Sequence, residues 1–181
     1  FNLHILSSFS FLSLVVSLFS NLYFSLSLFN PIVCNLNEIC KDVIETSFNN
    51  QKDNRNVDVL FKSNKVEIFA DINLIKYTLF NVLSNAFKYS EGCGNVQLNL
   101  FTVDDLVQID VIDNGIGIPE EDQSKLFNTF YRASNSNGIQ GTGLGLYIIK
   151  MFTKKNSGRV YLESELNKGT KVTLRFPLYK N

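Results

Sequence analysis

Apolar and polar positions change their period along the chain, and each change predicts where an element begins or ends. Residues 38–48 carry apolar side chains at helical spacing, and Asn37 is the predicted N-cap of this helix. Segments 57–62 and 65–70 alternate apolar and polar residues, which predicts two strands joined by a turn at residues 63–64. This part of the chain is therefore predicted to be a helix followed by a strand pair.

A longer helical pattern comes next, capped at its start by Asp71 and ending near Tyr89. Two strands at 96–103 and 106–112 follow, joined by a turn at residues 104–105. The remaining predicted elements are a short helix, a polar loop, a helix and two strands, at 120–128, 133–140, 144–154, 159–165 and 171–176. Because strand pairs and helices are mixed instead of strictly alternating, we expect an α+β fold. Its predicted form is a two-layer α/β sandwich with a mixed, mostly antiparallel sheet and helices on one face.

The distribution of charge separates the beginning of the chain from the rest. All 17 basic and 17 acidic side chains lie within residues 38–181. Residues 1–30 are mostly Leu, Ser and Phe, and three interpretations remain open: a membrane or membrane-surface helix, a degenerate remnant, or a buried helix that needs a partner chain. We therefore expect a hydrophobic segment at 1–30 and a folded domain at 31–181. The first residue is Phe1, which favours a fragment of a longer protein.

Composition argues against several classes of function. The formal net charge is zero, which is not typical of a protein that binds nucleic acid, so no nucleic-acid partner is expected. Cys34, Cys40 and Cys93 form no CxxC pair, which favours reduced thiols in or near a core. The single histidine, His4, has no neighbour suited to a metal site or a catalytic triad. Zinc and Ser-His-Asp chemistry are therefore not expected.

The helix predicted between Asp71 and Tyr89 carries a polar stripe. Asn81, Asn85 and Lys88 recur at spacings of four and three, so they fall within roughly 60° of one another on the helix. They either face solvent, or the amide oxygens help to bind Mg²⁺ shared with phosphate while the ammonium group meets a phosphate.

Two glycine-rich segments follow, at 113–119 (Asp-Asn-Gly-Ile-Gly-Ile-Pro) and 141–146 (Gly-Thr-Gly-Leu-Gly-Leu). Either is compatible with an ordinary turn, but the second opens a helix, where unpaired N–H groups suit phosphate. The spacing of a Rossmann motif and the Gly-Lys-Ser/Thr of a P-loop are absent. Asp113 leaves a strand predicted to be buried and needs a donor, such as the exocyclic amino group of adenine.

These motifs together resemble the ATP-binding catalytic domain of sensor histidine kinases, in the superfamily that also contains gyrase, Hsp90 and the mismatch-repair ATPase. The resemblance covers about residues 35–178 and implies a Bergerat-type ATP-binding fold. Five blocks occur in the family's order, namely the N box, first glycine box, F box, second glycine box and third glycine box, at 81–90, 113–119, 127–132, 141–146 and 168–170.

The resemblance implies that the domain binds ATP and Mg²⁺. Asn85 would be the Mg²⁺ ligand, and Asn81 and Lys88 would contact the phosphates. The implied catalytic residues are Asn81, Lys88 and Arg132. Asp113 would accept a hydrogen bond from the adenine amino group. The implied nucleotide-binding set is Asn81, Asn85, Lys88, Tyr89, Asp113, Gly115, Gly117, Ile118, Arg132, Gly141, Thr142, Gly143, Leu144, Gly145, Leu146 and Thr170.

The same resemblance implies a mobile lid over ATP at residues 120–140. Phe127 and Phe130 would belong to this lid, although simple core packing is the alternative for both. Arg132 would reach the nucleotide, or else form a surface ion pair. Residues 141–146 would hinge the lid and cradle the phosphates.

Phosphoryl transfer is favoured over hydrolysis because hydrolases of the superfamily carry a general-base Glu at the position of Asn81, and an amide cannot take a proton. The resemblance implies transfer to a histidine on a separate dimerisation domain, and then signalling to a response regulator. His4 lacks the sequence context of such an acceptor, so the acceptor is expected upstream or on another chain.

The domain would be cytoplasmic, and anchored to a membrane if residues 1–30 form a membrane helix. The alternatives are a non-catalytic ATP-binding regulatory module and a membrane-tethered interaction protein with a vestigial pocket.

Overall fold

Elements follow the predicted order in the computed structural model, which describes residues 29–49, 51 and 53–180. Within these residues the strands are Ile32–Asn35 (β1), Val57–Phe61 (β2), Glu67–Ala70 (β3), Val96–Val103 (β4), Leu106–Asp113 (β5), Arg159–Glu165 (β6) and Gly169–Pro177 (β7). The helices are Leu36–Ser47 (α1), Ile72–Tyr89 (α2), Glu120–Gln123 (α3) and Gly145–Lys155 (α4), and Ser134–Ser136 forms a 3₁₀ turn. His4 and nearly all of the predicted N-terminal segment lie outside the described residues.

The main sheet has the strand order β2-β4-β5-β7-β6. Its β2–β4 pair is parallel, whereas the β4–β5, β5–β7 and β6–β7 pairs are antiparallel. β1 and β3 form a separate antiparallel pair. The predicted mixed, mostly antiparallel sheet is therefore confirmed.

Helices α2 and α4 cover one face of this sheet. Ile109 of β5 and Leu174 of β7 are fully buried in the same apolar core as Leu79 of α2 and Ile149 of α4. The predicted N-cap of α2 is also confirmed, since the Asp71 carboxylate accepts from the backbone N–H groups of the helix's first turn. The α+β sandwich with helices on one face is thus the observed fold.

The strand pair predicted at 57–62 and 65–70 is wrong as a hairpin, because β2 pairs with β4 and β3 pairs with β1. The buried side chain of Asn37 explains the separation. Its amide nitrogen donates to the Ser63 carbonyl at 2.7 Å, and its oxygen accepts from the Val66 N–H at 2.9 Å. These bonds tie the connection between the strands to α1 and direct β3 to the smaller sheet.

Asn37 is consequently not the N-cap of α1. That position belongs to Asn35, whose side-chain oxygen accepts from the Asn37 N–H at 3.1 Å. The predicted helix at 120–128 is also too long, because α3 ends at Gln123. The Gln123 amide donates to the carbonyls of Ile118 and Ser164, which fixes this short helix against β6.

Two of the three thiols are core residues, as predicted, and the third is on the surface. Cys34 and Cys40 are buried, and burial raises the pKa of the Cys40 thiol to about 12. Cys93 is exposed. Among the helices of the described residues, none combines the length and apolar character needed to cross a membrane.

Candidate functional site

A cavity of about 240 Å³ lies among α2, the ends of β5 and β7, and the segment that connects α3 to α4. All but two of the predicted nucleotide-binding residues line it. The exceptions are Gly115 and Leu144. A Cβ on Gly115 would overlap the Tyr89 carbonyl, so this residue packs against the end of α2. Leu144, within the second glycine segment, is buried, with 5% exposure. The fold therefore brings together residues that are 89 positions apart, from Asn81 to Thr170.

One wall of the cavity carries a buried carboxylate, Asp113, at the end of β5. Its Oδ1 accepts from the Gly115 N–H at 2.9 Å, and Thr170 lies opposite it in the register of β7. Burial raises the pKa of Asp113, although backbone hydrogen bonds from Gly115 and Thr170 act in the opposite direction. The carboxylate therefore has capacity for a further donor that enters the cavity.

The backbone of this wall is packed too closely for side chains. Gly169 has φ +110°, and a Cβ there would overlap the Asp113 carbonyl oxygen. Gly117 has φ +62°, and a Cβ there would overlap the Glu165 carbonyl oxygen. The Asn167 N–H donates to the Ile116 carbonyl at 2.8 Å, which fastens the first glycine segment to the β6–β7 turn.

The polar stripe of α2 faces the second glycine segment. A Cβ on Gly145 would lie 3.6 Å from Asn81 Oδ1 and 3.7 Å from Asn85 Oδ1, so both amides lie beside the first residue of α4. Asn81 Nδ2 donates to the Tyr77 carbonyl at 2.7 Å, which determines that its oxygen is the end turned towards Gly145. Asn81, Asn85 and Lys88 are half-buried and all line the cavity, so the stripe faces the cavity.

Lys88 lies next to the start of the second glycine segment. Its Nζ is 3.3 Å from the Tyr89 hydroxyl and would be 2.6 Å from a Cβ on Gly141. A cationic donor thus stands beside a glycine loop that precedes a helix N-terminus. This combination favours an anionic ligand such as phosphate.

A second buried carboxylate, Asp122 of α3, organises the segment that closes the cavity. It accepts hydrogen bonds from the Tyr131 hydroxyl at 2.6 Å, the Ser134 N–H at 2.7 Å and the Ser134 hydroxyl at 2.8 Å. The bonds from Tyr131 and Ser134 lower the pKa of Asp122, and the Lys125 charge acts in the same direction. Residues 124–140 are the part of the predicted lid (120–140) that follows α3, and below the name lid refers to these residues.

Arg132 lines the cavity, but its guanidinium group is hydrogen-bonded within the lid. One nitrogen donates to the carbonyls of Ser136, at 2.8 Å, and Ile139. Core packing is not the role of Phe130, which is 46% exposed with φ +62°, and the buried apolar residue of this stretch is Leu126.

Other residues that line the cavity were not identified in the sequence. Five belong to the lid: Leu126, Tyr131, Ala133, Asn135 and Ser136. The rest are Ser84, Ile116 of the first glycine segment, and a set of apolar residues on α2, α4 and the strands: Val82, Ala86, Val111, Ile149, Leu162 and Val172. The apolar strand residues follow from alternation with Asp113 and Thr170, whereas the lid residues carry no comparable pattern.

Comparison with known proteins gives the family. Residues 70–180 match the model of the family "Histidine kinase-, DNA gyrase B-, and HSP90-like ATPase". Sensor protein RprX of Bacteroides fragilis (strain YCH46) is 35% identical over 150 residues, covering 80% of this chain and 29% of that protein. The chain thus spans less than a third of that relative's length.

Solved structures agree with the observed fold. The catalytic domain of the histidine kinase ThkA superimposes with a TM-score of 0.70 at 26% identity, covering 82% of this chain and 95% of that one. The mycobacterial sensor histidine kinase MprB has the same fold, with a TM-score of 0.71 at 22% identity over 84% of this chain and all of that one. The chain therefore belongs to the histidine kinase-, DNA gyrase B- and Hsp90-like ATPase family, as a catalytic domain of the sensor histidine kinase type.

Proposed function

We propose that this domain binds Mg·ATP and transfers the γ-phosphoryl group to a histidine on a separate dimerisation domain, within two-component signal transduction. The main support for this proposal is the distribution of polar groups around a single cavity. An acceptor carboxylate, Asp113, lies on one wall, while the amides of Asn81 and Asn85 and the ammonium group of Lys88 lie along the second glycine segment. The carboxylate suits a base with an amino group, and the amides with the ammonium group suit phosphates.

The amides on α2 fit a magnesium ion. Mg²⁺ prefers oxygen ligands, takes few of them from protein and completes its shell with water and phosphate oxygens. Asn85 would hold the ion, which would neutralise charge on the phosphates. Asn81, with its oxygen turned towards Gly145, and Lys88 would orient the phosphates.

The cavity favours transfer to a positioned acceptor over attack by water. Among the described residues, Asp113 is the only carboxylate that lines it, and Asn81 and Asn85 offer no base to deprotonate water. Phosphoryl transfer depends mainly on positioning and charge neutralisation, so a missing base does not impair it. The acceptor histidine would come from a dimerisation domain upstream or in trans, and a response regulator would receive the phosphoryl group.

The domain limits are part of this proposal. The compact unit that holds the cavity begins at Pro31, so we assign the catalytic domain to residues 31–181. Residues 1–30 would connect it to a membrane, or to a partner chain, or represent a degenerate remnant.

Binding and transfer are tested in sequence with the full chain. We expect ATP to bind in a Mg²⁺-dependent manner, and labelled ATP to phosphorylate a supplied histidine-containing dimerisation domain from a related sensor kinase. ATP binding without any labelling would contradict the kinase assignment and favour a non-catalytic ATP-binding module. Absence of nucleotide binding would contradict both.

The assignment of the metal ligand has its own test. Asn85→Ala removes an oxygen ligand, and we expect it to abolish the increase in ATP affinity that Mg²⁺ produces. The matched control is Asn73→Ala, a change of an exposed asparagine on the same helix. Equal Mg²⁺ dependence in wild type and Asn85→Ala would refute the metal assignment.

A further inference from the structure

Asn135, a lid residue, leaves one polar atom without a partner beside the cavity. Its Nδ2 donates to the Gly117 carbonyl at 2.9 Å. Its Oδ1 is buried and has no hydrogen-bond partner, although the residue lines the cavity. A buried acceptor without a partner is unfavourable, so a ligand that brings a donor here gains affinity.

Chemistry determines which end of this amide meets the ligand. The Gly117 carbonyl can only accept, so the nitrogen of Asn135 must face it and the oxygen must point elsewhere. Gly117 is itself held in place by its close approach to the β6–β7 turn at Glu165. The side chain of Asn135 is therefore anchored to the wall that also carries Asp113.

Both neighbours of Asn135 are fixed as well. Ser134 donates to Asp122 through its N–H and its hydroxyl. Ser136 donates to the Ala133 carbonyl through both its N–H, at 3.0 Å, and its hydroxyl, at 2.6 Å. The amide oxygen of Asn135 is thus an acceptor in a prearranged position, not a side chain on a loose loop.

We infer that Asn135 Oδ1 accepts a hydrogen bond from the exocyclic amino group of adenine, as a second acceptor in addition to Asp113. This inference rests on the proposed binding of ATP. The amino group carries two N–H donors, and the remaining hydrogen-bonding atoms of the base in a nucleotide are acceptors. Two acceptors, one on the wall and one on the lid, therefore match adenine and oppose guanine, whose oxygen at the same ring position would face them unpaired.

A substitution combined with a change of nucleotide tests the contact. We would measure affinities of the full chain for ATP and for purine riboside triphosphate, which lacks the amino group, in wild type and Asn135→Leu. Leu has a similar volume and no polar atom. We expect Asn135→Leu to weaken ATP binding roughly 3- to 10-fold and to leave the binding of purine riboside triphosphate unchanged.

Loss of the bond to Gly117 is the main competing effect, and the second nucleotide separates it. A displaced lid would weaken both nucleotides equally, and that result would overturn the inference. A loss seen with ATP but not with 2′-deoxy-ATP would assign the donor to the ribose and would also overturn it. Asn137→Leu, at an exposed position two residues further along the lid, is the matched control and should change neither affinity.

Folding and the proposed function are checked in the same experiment. Asn135→Ala is the second variant, used if thermal unfolding shows that Asn135→Leu is not folded. If the wild type and both variants bind ATP with equal affinity, only the role of Asn135 is contradicted. Wild type that binds none of the nucleotides contradicts the proposed function, and the inference with it.

Discussion

The wall of the cavity and its lid each hold a buried aspartate, and the two carboxylates differ in how their charge is satisfied. Asp113 on the wall is 7% exposed, and burial raises its pKa. Asp122 at the base of the lid is 5% exposed, and three hydrogen bonds from Tyr131 and Ser134 lower its pKa. A carboxylate with capacity for a further donor suits ligand binding, whereas one that is already satisfied suits structure.

The two regions also differ in what holds them. The wall depends on backbone packed against backbone, as at Gly169, where any side chain would meet the Asp113 carbonyl. The lid depends on side chains, chiefly those of Asp122, Arg132 and Asn135. We therefore expect the wall to be disrupted by added side-chain atoms that overlap its backbone. The lid should be disrupted by the loss of single hydrogen bonds.

The largest effect is expected from Gly169→Ala, because the new Cβ would overlap the backbone of β5 at a residue with φ +110°. We expect a loss of several kcal/mol in the free energy of unfolding, together with loss of ATP binding. Gly92→Ala is the control, since Gly92 also has positive φ but no atom lies within 4 Å of its Cβ position. That variant should lose about 1–2 kcal/mol from backbone strain alone. Equal losses in a denaturant titration would show that packing does not define the wall.

Asp113→Asn is expected to have the next largest effect, and its two consequences have opposite signs. ATP affinity should fall roughly 10- to 100-fold, because a hydrogen bond to a charged acceptor is replaced by one to a neutral amide. The unfolding free energy without nucleotide should rise at neutral pH, since a buried charge is removed.

The pH dependence of this second effect follows from the pKa of Asp113. Folding raises the pKa of Asp113. Its contribution to stability is therefore fully present below the pKa of the unfolded state and is lost as pH rises through the pKa of the folded state. The extra stability of Asp113→Asn should therefore shrink as pH falls. A destabilised Asp113→Asn domain at neutral pH would show that the wall carboxylate is already satisfied by its own backbone donors.

The sequence indicates the wall far better than the lid, for physical reasons. Asn81 and Asn85 are poor residues for a helix interior, and the glycines of the wall cluster next to Asp113, so both patterns stand out. Asp122 does not stand out, because it follows two Glu residues and resembles an ordinary acid in the first turn of a helix. Its contact to Tyr131, nine residues away, depends on how an irregular segment folds.

The pairing of the smaller sheet is also absent from the sequence pattern. β1 has only four residues and exposes Ile32 and Val33, so no alternation revealed it. Without β1, β3 had no visible partner except β2, and a hairpin was the expected result. A tertiary contact through Asn37 overrides that local pattern.

Asp122→Asn should loosen the lid with a smaller effect than either change in the wall. An amide cannot accept from all three donors, so we expect ATP affinity to fall roughly 3- to 10-fold. Trypsin should also cleave faster after Arg132, and the domain should unfold at a somewhat lower temperature at neutral pH. Glu121→Gln, at the exposed neighbouring acid, is the control. If Asp122→Asn and Glu121→Gln are cleaved at the same rate, the carboxylate does not hold the lid.

The pH dependence of the lid should oppose that of the wall. Folding lowers the pKa of Asp122, so its stabilisation is present above the ordinary value of 3.8 and is lost as pH falls through the lower folded value. Wild type should therefore be more stable than Asp122→Asn near neutral pH, with a difference that shrinks in acid. For Asp113 we expect the opposite: Asp113→Asn should be more stable than wild type near neutral pH. Unfolding curves of the three proteins therefore distinguish the two carboxylates.

Tyr131→Phe is expected to have the smallest effect, because it removes one donor from Asp122 and leaves both donors of Ser134 in place. A neutral donor lost from a carboxylate that keeps two others should weaken ATP binding only about twofold. The informative comparison is with Asp122→Asn, measured by trypsin cleavage after Arg132 in each single variant and in the double variant. If the lid is held through this one carboxylate, adding Tyr131→Phe to Asp122→Asn should cause less acceleration than it causes in wild type. Fully additive rates would mean that the hydroxyl of Tyr131 acts on the lid independently of Asp122, and the lid would then need a second point of attachment.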